Sequence, residues 1–345
     1  MSKLKVLIVD DSLFFRTILS NLLIKYPNIQ VVGLAGDPFE AREKIAALNP
    51  DVVTLDINMP KMNGIDFLKE FLPKKWLPFV VISSRDDIVF EAMDAGAVDF
   101  VEKPTMQPGK HLDEFGREIA EKIKEAAQAT ATSAKKMPSP PKQAAPAFAV
   151  ASRAAKPGFI VLGASTGGTE ATSRVLKQLP ANIPGMVIVQ HMPPVFTDLY
   201  AQRLDRETKL RVKEASNGDM IKPGHAYVAP GDKHVVVEKR GAELVIRTNE
   251  GEKVNGHRPS VDVLFDSVVK FADKTTTAII LTGMGADGAK GITALRKRGA
   301  YTIGQDEATC VVYGMPCVAY QLGGIVKQAP LDGIPAALIE RLNSL

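Results

Sequence analysis

The sequence has few cysteines and no long apolar run. Cys310 and Cys317 are the only cysteines among 345 residues, too few for a disulfide framework, and their apolar surroundings predict buried thiols. No segment reaches the roughly 18 continuous apolar residues of a membrane-spanning helix. The opening MSKLKVLIVDD reaches charged residues too early for a secretory signal. We therefore expect a cytoplasmic protein in a reducing compartment, without membrane insertion.

The sequence also lacks a large excess of one charge sign. It has 43 Lys and Arg residues against 39 Asp and Glu, which gives a formal net charge of +4, and both signs are interspersed. This balance lacks the basic patch that is typical of dedicated nucleic-acid binding, so we expect protein or small-molecule partners and no nucleic acid. The length and the 45% hydrophobic content are typical of a soluble chain with two domains.

One internal segment lacks acidic residues and has few large apolar ones. Residues 126–157 are dominated by Ala, Pro, Ser and Lys. Such a segment cannot bury enough apolar surface to offset the entropy cost of ordering the chain. An ordered loop is the alternative, but structureless loops of this length are rare inside compact domains. We predict a flexible linker over 126–157 between domains at 1–125 and 158–345.

Apolar strands alternate with helical patterns in both domains. The first contains KVLIVD, QVVGLA, DVVTLD, PFVVISS and DFVEKP, and the second contains GFIVLGA, GMVIVQH, TAIILTG and AYTIGQ. Continuous apolar strands with helical crossovers are typical of a parallel sheet that is covered on both faces. We predict two α/β domains, the second doubly wound and mostly parallel. Its segment GHAYVAPGDKHVVVEKRGAELVIRTNE predicts an insertion of antiparallel hairpins.

Acidic residues follow two predicted strands of the first domain. Asp10 and Asp11 end the first strand, and Asp56 ends the third. Because the carboxyl ends of parallel strands meet at one edge of a sheet, these carboxylates should converge. A hard cation such as Mg²⁺ would relieve their repulsion. Ser83 and Lys103 end later strands, and with Asp56 as the acceptor they complete a phosphoryl-binding site.

Residues 1–125 resemble a response-regulator receiver domain. The resemblance rests on the stretch MPKMNG and on an acidic pair, an acceptor aspartate, two switch positions and a Lys-Pro pair: Asp10, Asp11, Asp56, Ser83, Phe100, Lys103 and Pro104. It implies a flavodoxin-like (βα)5 fold and Mg²⁺-dependent phosphorylation of Asp56 by a histidine kinase. The implied metal ligands are Asp10, Asp11 and Asp56. The alternative for the aromatic switch position, Phe100, is ordinary strand packing.

A G-x-S-x-G pattern opens the second domain. Ser165 follows the strand FIVLGA, where it is a nucleophile on a strand-to-helix elbow, part of an anion site, or part of a tight turn. His191 ends VIVQH in the same way, so the two side chains could meet if their strands are neighbours. Asp287 follows AIILTG and could orient the histidine. The order Ser, His, Asp differs from the order in α/β-hydrolases.

The same region also matches a dinucleotide fingerprint. Gly283, Gly285 and Gly288 form G-x-G-x-x-G between a strand and a helical segment, and Asp306 ends the next strand. Asp287 would repel a pyrophosphate in that turn, and the motif lies late in its domain rather than on a first strand. A receiver attached to a nonenzymatic nucleotide-binding module, with the Gly283–Gly288 loop as its ligand site, therefore stays as the alternative function.

The whole chain resembles the chemotaxis protein-glutamate methylesterases of the CheB type. The resemblance rests on LGASTGGTEA, VIVQHMPPVFT, NGHRPSVDVLFDS and LTGMGADGAKG, in this order behind a receiver-like domain. It implies Ser165 as the nucleophile, His191 as general base and acid, and Asp287 as the orienting carboxylate. It also implies the backbone N–H of Met284 in the oxyanion site.

The resemblance extends to substrate and regulation. It implies hydrolysis of glutamate γ-methyl esters on chemoreceptors, deamidation of selected receptor glutamines, and phosphate from a chemotaxis histidine kinase. An unphosphorylated receiver would cover the catalytic face. We expect the esterase chemistry to need no cofactor, and the protein to be a monomer. The segment from His257 to Asp262 also matches the family, but residue chemistry alone assigns no role to it, nor to Cys310 and Cys317.

Overall fold

The computed structural model describes residues 3–84, 88–104, 111–129 and 158–345. Apart from residues 126–129, the predicted linker lies outside this part of the chain. The chain divides into two compact units, Met1–Ala134 and Lys135–Leu345. Among the described residues, no helix is both long and apolar enough to span a membrane.

The first unit is a five-stranded parallel sheet with helical crossovers. The strand order is β2-β1-β3-β4-β5, as predicted for a flavodoxin-like fold. Asp37 shows how the sequence starts a helix here, because its side chain accepts from the amides of Phe39 and Glu40. The strands are β1 Leu4–Val9, β2 Ile29–Ala35, β3 Val52–Asp56, β4 Phe79–Ser83 and β5 Asp99–Glu102, and the helices are α1 Leu13–Ile24, α2 Pro38–Leu48, α3 Gly64–Phe71, α4 Ile88–Asp94 and α5 His111–Ala126.

The second unit is built on a seven-stranded sheet in the order β14-β13-β12-β6-β7-β9-β8. All neighbouring strands in it are parallel. The strands are β6 Phe159–Ala164, β7 Gly185–Gln190, β8 Arg211–Glu214, β9 His225–Val228, β10 His234–Arg240, β11 Glu243–Asn249, β12 Thr276–Ile280, β13 Tyr301–Gln305 and β14 Lys327–Ala329. The helices are α6 Gly168–Lys177, α7 Phe196–Glu207, α8 Val261–Val269, α9 Ala289–Lys297, α10 Met315–Gln321 and α11 Ile334–Asn343, with a 3₁₀ turn at Leu331–Gly333.

The predicted α/β fold class is confirmed in both units, but the predicted hairpin insertion was too large. Among the strands of the described residues, only β10 and β11 pair in antiparallel fashion. His225–Val228, which was assigned to a hairpin, instead pairs in parallel with β7 and β8. Its Ala226 and Val228 are buried on the main sheet, and four residues are too few for the pattern to distinguish an extra sheet strand from a hairpin arm.

Helix α8 packs closely against the main sheet. A Cβ atom on Gly163, in β6, would lie only 2.2 Å from Cγ1 of Val261, the first residue of α8. Glycine therefore lets the start of this helix approach the carboxyl end of β6. Val261, Leu264 and Phe265 are fully buried in the core at this interface. This packing places the amino terminus of α8 beside the strand ends that carry the candidate site.

Candidate active site

Three strand ends bring the candidate catalytic side chains together. Strand β6 lies between β7 and β12 in the sheet. Ser165 directly follows β6 and His191 directly follows β7. Asp287 lies in the loop between β12 and α9. Because all three strands are parallel, these residues lie at one edge of the sheet.

The three side chains form a hydrogen-bonded chain. Nδ1 of His191 lies 3.1 Å from Oγ of Ser165, and Nε2 lies 2.8 Å from Oδ2 of Asp287. Since a carboxylate only accepts, Nε2 carries the hydrogen and Nδ1 is the acceptor for the serine hydroxyl. Many serine hydrolases use the two ring nitrogens the other way round. Either orientation leaves a nitrogen that can take the serine proton.

Asp287 is the most heavily bonded carboxylate of the site. It is 1% exposed, and its donors are His191 Nε2, Asn255 Nδ2, Ser260 Oγ and the backbone amides of Val261 and Asp262. The two amides belong to the start of α8, where a helix favours negative charge. Burial alone would raise the pKa of Asp287, but the bonds from His191, Asn255 and Ser260 hold it well below its usual range. The carboxylate is therefore ionised beside His191.

Ser165 sits on a tight strand-to-helix turn. Its amide donates to the carbonyl of Thr282, and its carbonyl accepts from the amide of Gly168 at the start of α6. Between them Gly167 has φ = 74°, a backbone conformation that strongly favours glycine. Ser165 is only 3% exposed. The pattern thus forms an elbow, as G-x-S-x-G suggested, but in a fold with a different order of the three residues.

The loop after β12 runs directly alongside Ser165. A Cβ on Gly283 would lie 2.7 Å from Cβ of Ser165, so this glycine permits close backbone approach. Met284, the predicted oxyanion residue, is the next residue of that loop and is half-buried. Gly283 therefore ties the position of the Met284 backbone to that of the serine.

The nucleotide-binding alternative is not supported by the geometry of its glycines. Gly288 adjoins Val261, because an added Cβ would lie 2.5 Å from that side chain. Asp287 is enclosed by donors from the protein itself, and it places a negative charge in the turn where a pyrophosphate would bind. Asp306 accepts from the amide and hydroxyl of Thr309 in a local turn. Gly288 thus allows close packing against Val261, and Asp287 is the hydrogen-bond partner of His191.

Residue patterns missed two amide side chains at the site. Gln190, the last residue of β7, donates from Nε2 to the carbonyls of Ser165 and His191. Asn255 donates to Asp287 from a loop. Neither residue belongs to a catalytic motif, and both act through long-range contacts. The family-like NGHRPSVD stretch was the one sequence signal that could have pointed to Asn255.

Neither cysteine bonds to the catalytic chain. Cys310 is buried, as predicted, and burial raises the pKa of its thiol. Cys317 is only half-buried, contrary to the prediction, because it lies on α10 near the surface. Its Sγ accepts a weak bond from Gln321.

A second cluster lies at the strand ends of the first unit. Oxygen atoms of Asp10, Asp11 and Asp56 lie within 4.8 Å of one another. Asp10 and Asp56 are buried, whereas Asp11 is exposed. Nζ of Lys103 lies 2.7 Å from Asp10 and 3.2 Å from Asp56. A set of hard oxygen donors, partly open to solvent, fits Mg²⁺ with its retained waters.

The electrostatics of Asp56 reflect this crowding. Burial, followed by the nearby charge of Asp10, raises the pKa of Asp56 to about 6, although Lys103 opposes the shift. Ser83, the predicted hydroxyl support, is fully buried at the end of β4 and donates to the carbonyl of Ser84. Phe100 is buried and packs edge-on against Phe90, with ring centroids 6.2 Å apart. That packing is the alternative expected for the aromatic position.

Comparison with known families matches both units. The family model described as CheB methylesterase covers residues 160–338, and the one described as response regulator receiver domain covers residues 6–111. The crystal structure of the Thermotoga maritima CheB methylesterase catalytic domain is 40% identical to this chain with a TM-score of 0.52. The match spans 54% of this chain and 98% of that chain.

Curated relatives match over the full length. A protein of Syntrophomonas wolfei named protein-glutamate methylesterase/protein-glutamine glutaminase 2 is 47% identical over 100% of this chain and 99% of its own length. A Pseudomonas aeruginosa protein of the same name is 46% identical over 98% of this chain and 97% of its own length. The family resemblance seen in the sequence is thereby confirmed. The chain belongs to the CheB methylesterase family and carries a response regulator receiver domain ahead of its methylesterase domain.

Proposed function

We propose that this protein is a protein-glutamate methylesterase and protein-glutamine glutaminase that acts on chemoreceptors and is regulated by phosphorylation. One observation carries the proposal. Ser165, His191 and Asp287 form a continuous hydrogen-bonded chain in a family of methylesterases. A buried serine, bonded to a histidine that is itself held by an ionised carboxylate, is suited to nucleophilic acyl transfer.

The first half of the reaction makes an acyl-enzyme. Oγ of Ser165 attacks the carbonyl carbon of a glutamate γ-methyl ester, and Nδ1 of His191 takes the serine proton. Asp287 stabilises the imidazolium that forms, through the bond to Nε2. When the tetrahedral intermediate collapses, the C–O bond to the methoxy group breaks. His191 returns the proton to that oxygen, and methanol leaves.

The second half restores the enzyme. Water attacks the acyl carbon while His191 takes one of its protons, and the bond to Ser165 breaks. The serine oxygen regains a proton from His191, and a glutamate side chain is released. For a glutamine substrate the leaving group is ammonia, a much poorer one than methanol, so delivery of the proton by His191 matters more.

The oxyanion needs donors at the serine elbow. We assign the backbone N–H of Met284 to this role because Gly283 holds the adjoining backbone against Ser165. A preorganised donor of this kind typically lowers the barrier by about 3 kcal/mol.

The receiver supplies the regulation. Asp56 would accept a phosphoryl group from a chemotaxis histidine kinase, with Lys103 beside it to neutralise charge. Asp10, Asp11 and Asp56 would hold Mg²⁺, which when bound offsets the negative charge of the incoming phosphate. Ser83 would bond to a phosphoryl oxygen after its hydroxyl turns away from Ser84.

The proposal also includes the domain bounds, the compartment and the oligomeric state. We assign residues 1–125 to the receiver, 126–157 to a linker and 158–345 to the catalytic domain, in a cytoplasmic monomer whose ester chemistry uses no cofactor. In the unphosphorylated state the receiver would restrict access to the catalytic face, and phosphorylation of Asp56 would shift the population toward an open arrangement.

Two measurements on a methylated receptor fragment test the proposal. In ¹⁸O-labelled water, attack at the acyl carbon predicts label in the glutamate side chain and unlabelled methanol. Label in the methanol would contradict acyl transfer. A small-molecule phosphodonor with Mg²⁺ should speed methanol release by wild type and leave Asp56→Asn unchanged. Equal stimulation of both proteins would contradict regulation through Asp56.

A further inference from the structure

A tight turn overlies the catalytic chain. The amide of Val254 donates to the carbonyl of His257 at 3.1 Å, and the reverse bond measures 2.9 Å. Between them, Asn255 has φ = 52° and Gly256 has φ = 85°. Asn-Gly is the favoured pair for a turn with two positive φ angles. The turn thus fixes where the side chains of Asn255 and His257 point.

Asn255 bridges two carboxylates with one amide nitrogen. Nδ2 lies 2.8 Å from Oδ1 of Asp287 and 2.9 Å from Oδ2 of Asp262. An amide nitrogen carries two hydrogens, so each carboxylate receives one. The amide oxygen could not replace it, because both partners are acceptors. The chemistry of the neighbours therefore determines which way this side chain faces.

The two carboxylates need such a bridge. Asp262 and Asp287 are both buried, and adjacent buried charges of one sign repel strongly. The other oxygen of Asp262 accepts from the amide of Gly291 in α9. Asp262 is thus held between α9 and the turn, and Asp287 between α8 and His191. Asn255 joins these two sets of contacts.

The same turn also fixes the plane of the catalytic imidazole. The rings of His191 and His257 are stacked, with centroids 3.7 Å apart and an interplanar angle of 11°. Stacking opposes rotation of His191 out of the plane in which it reaches both Ser165 and Asp287. The turn therefore contacts both the base and the carboxylate of the catalytic chain.

We infer that Asn255 is a positioning residue for the esterase reaction. Its amide holds Asp287 in place against His191 and offsets the repulsion from Asp262, while the turn that carries it stacks His257 on His191. This inference rests on the proposed function. It assigns a role to the segment that begins at His257, since that segment supplies the stacked ring and the second carboxylate of the bridge.

Two substitutions of Asn255 distinguish the effect of its side-chain amide from the effect of the turn backbone. Asn255→Gly removes both donors, and Asn255→Asp keeps the shape but replaces the donor by an acceptor. Gly and Asp both tolerate positive φ, so neither change strains the turn. Lys253→Ala is the matched control, because Lys253 is exposed in the same loop. Methanol release from a methylated receptor fragment is measured over pH, together with thermal unfolding of the full-length proteins.

Both Asn255 variants should keep the wild-type KM but unfold at a lower temperature than wild type, because two buried carboxylates lose a donor. Asn255→Asp should lose more stability, because it adds a third carboxylate beside them. The kcat of both variants should fall by about tenfold to a hundredfold, as for other small displacements of catalytic groups. The acid limb of the kcat/KM profile should move to higher pH, further in Asn255→Asp, because both variants leave more uncompensated negative charge beside the catalytic chain. The titratable groups facing this site are His191, His257, Asp262, Asp266 and Asp287, with Lys290 near Asp266.

The outcomes distinguish this inference from the proposed function. If wild type and Lys253→Ala release no methanol, the proposed function fails. If they are active and the Asn255 variants match them in kcat and pH profile, the positioning role is wrong. A loss of thermal stability in both variants with an unmoved acid limb would also overturn it, because that result indicates a structural role alone.

Discussion

The side-chain amide of Gln190 lies 2.9 Å from the backbone carbonyl of Ser165 and donates a hydrogen bond to it. The same nitrogen lies 3.2 Å from the carbonyl of His191. One buried amide therefore ties together the backbones of the nucleophile and the base. Its Oε1 has no hydrogen-bond partner within the described part of the chain. The hydrogen bonds of this side chain are therefore those that its nitrogen donates.

Replacing Gln190 with Met should loosen this link while keeping the side-chain length. The carbonyl of His191 would lose this donor, which costs about 1–3 kcal/mol in stability, whereas the carbonyl of Ser165 would keep the amide of Gly168. We expect kcat to fall by about tenfold or more. Gln202→Met on the surface of α7 is the control. Urea unfolding and methanol release measure the two effects, and unchanged kcat in Gln190→Met would show that the link is dispensable.

Asp287→Asn should be nearly inactive although it preserves shape. All five partners of Asp287 donate, and an amide would turn its own donors toward some of them. Removing the charge in comparable triads lowers kcat by about 10⁴-fold. Activity close to wild type would contradict the role of Asp287.

The same variant tests the charge state of Asp287. Because bonds lower the pKa of Asp287 in the folded protein, its ionised form stabilises the fold above the ordinary aspartate value of about 4. That stabilisation is lost as the pH falls through the folded value. The difference in thermal midpoint between wild type and Asp287→Asn should therefore narrow below about pH 4. A midpoint difference that widened at low pH would mean that folding raises the pKa of Asp287 instead of lowering it.

Asp56 should show the reverse dependence. Burial and Asp10 raise the pKa of Asp56 to about 6. The folded protein therefore becomes less stable as the pH rises and Asp56 ionises. With metal chelated, Asp56→Asn should melt at a higher temperature than wild type at pH 8, and the gap should shrink at pH 5. Added Mg²⁺ should raise the melting temperature of wild type more than that of Asp56→Asn. Asp66→Asn, an exposed carboxylate on α3, is the control, and a less stable Asp56→Asn at pH 8 would contradict the shift.

Gly283→Ala should impair catalysis because the added methyl group would collide with its neighbours. The new Cβ would meet Sδ of Met315 at 2.4 Å and Cβ of Ser165 at 2.7 Å, so the nucleophile or its support must move. We expect kcat to fall by about tenfold or more. Gly241→Ala is the contrast, because it has φ = 62° with nothing within 4 Å and should cost only about 1 kcal/mol of stability. Equal kcat in both variants would show that the close approach is unimportant.

Much of the fold was readable because buried parallel strands are continuous apolar runs. KVLIVD and FIVLGA could be assigned as strands from their own residues alone, and the polar residues after such runs pointed to both sites. His225–Val228 was assigned wrongly because nothing in four residues distinguishes a parallel partner of β7 from a hairpin arm. The short edge strand Lys327–Ala329 gave no apolar signal, since two of its three residues are exposed.

The candidate site was readable only in part. Ser165, His191 and Asp287 each followed a recognisable strand, whereas Gln190 was hidden as the polar end of β7. Asn255 acts on Asp287 from 32 positions away in sequence. Such contacts depend on how α8 and the strands pack, and that packing is not encoded in any local pattern.

The proposed reaction depends on Ser165 as the nucleophile. The most direct measurement is methanol release from a methylated chemoreceptor fragment by wild type, Ser165→Ala and Ser216→Ala, the last being an exposed serine after β8. Wild type and Ser216→Ala should release methanol at the same rate, and Ser165→Ala should release essentially none. Release by Ser165→Ala at the wild-type rate would show that Ser165 is not the nucleophile.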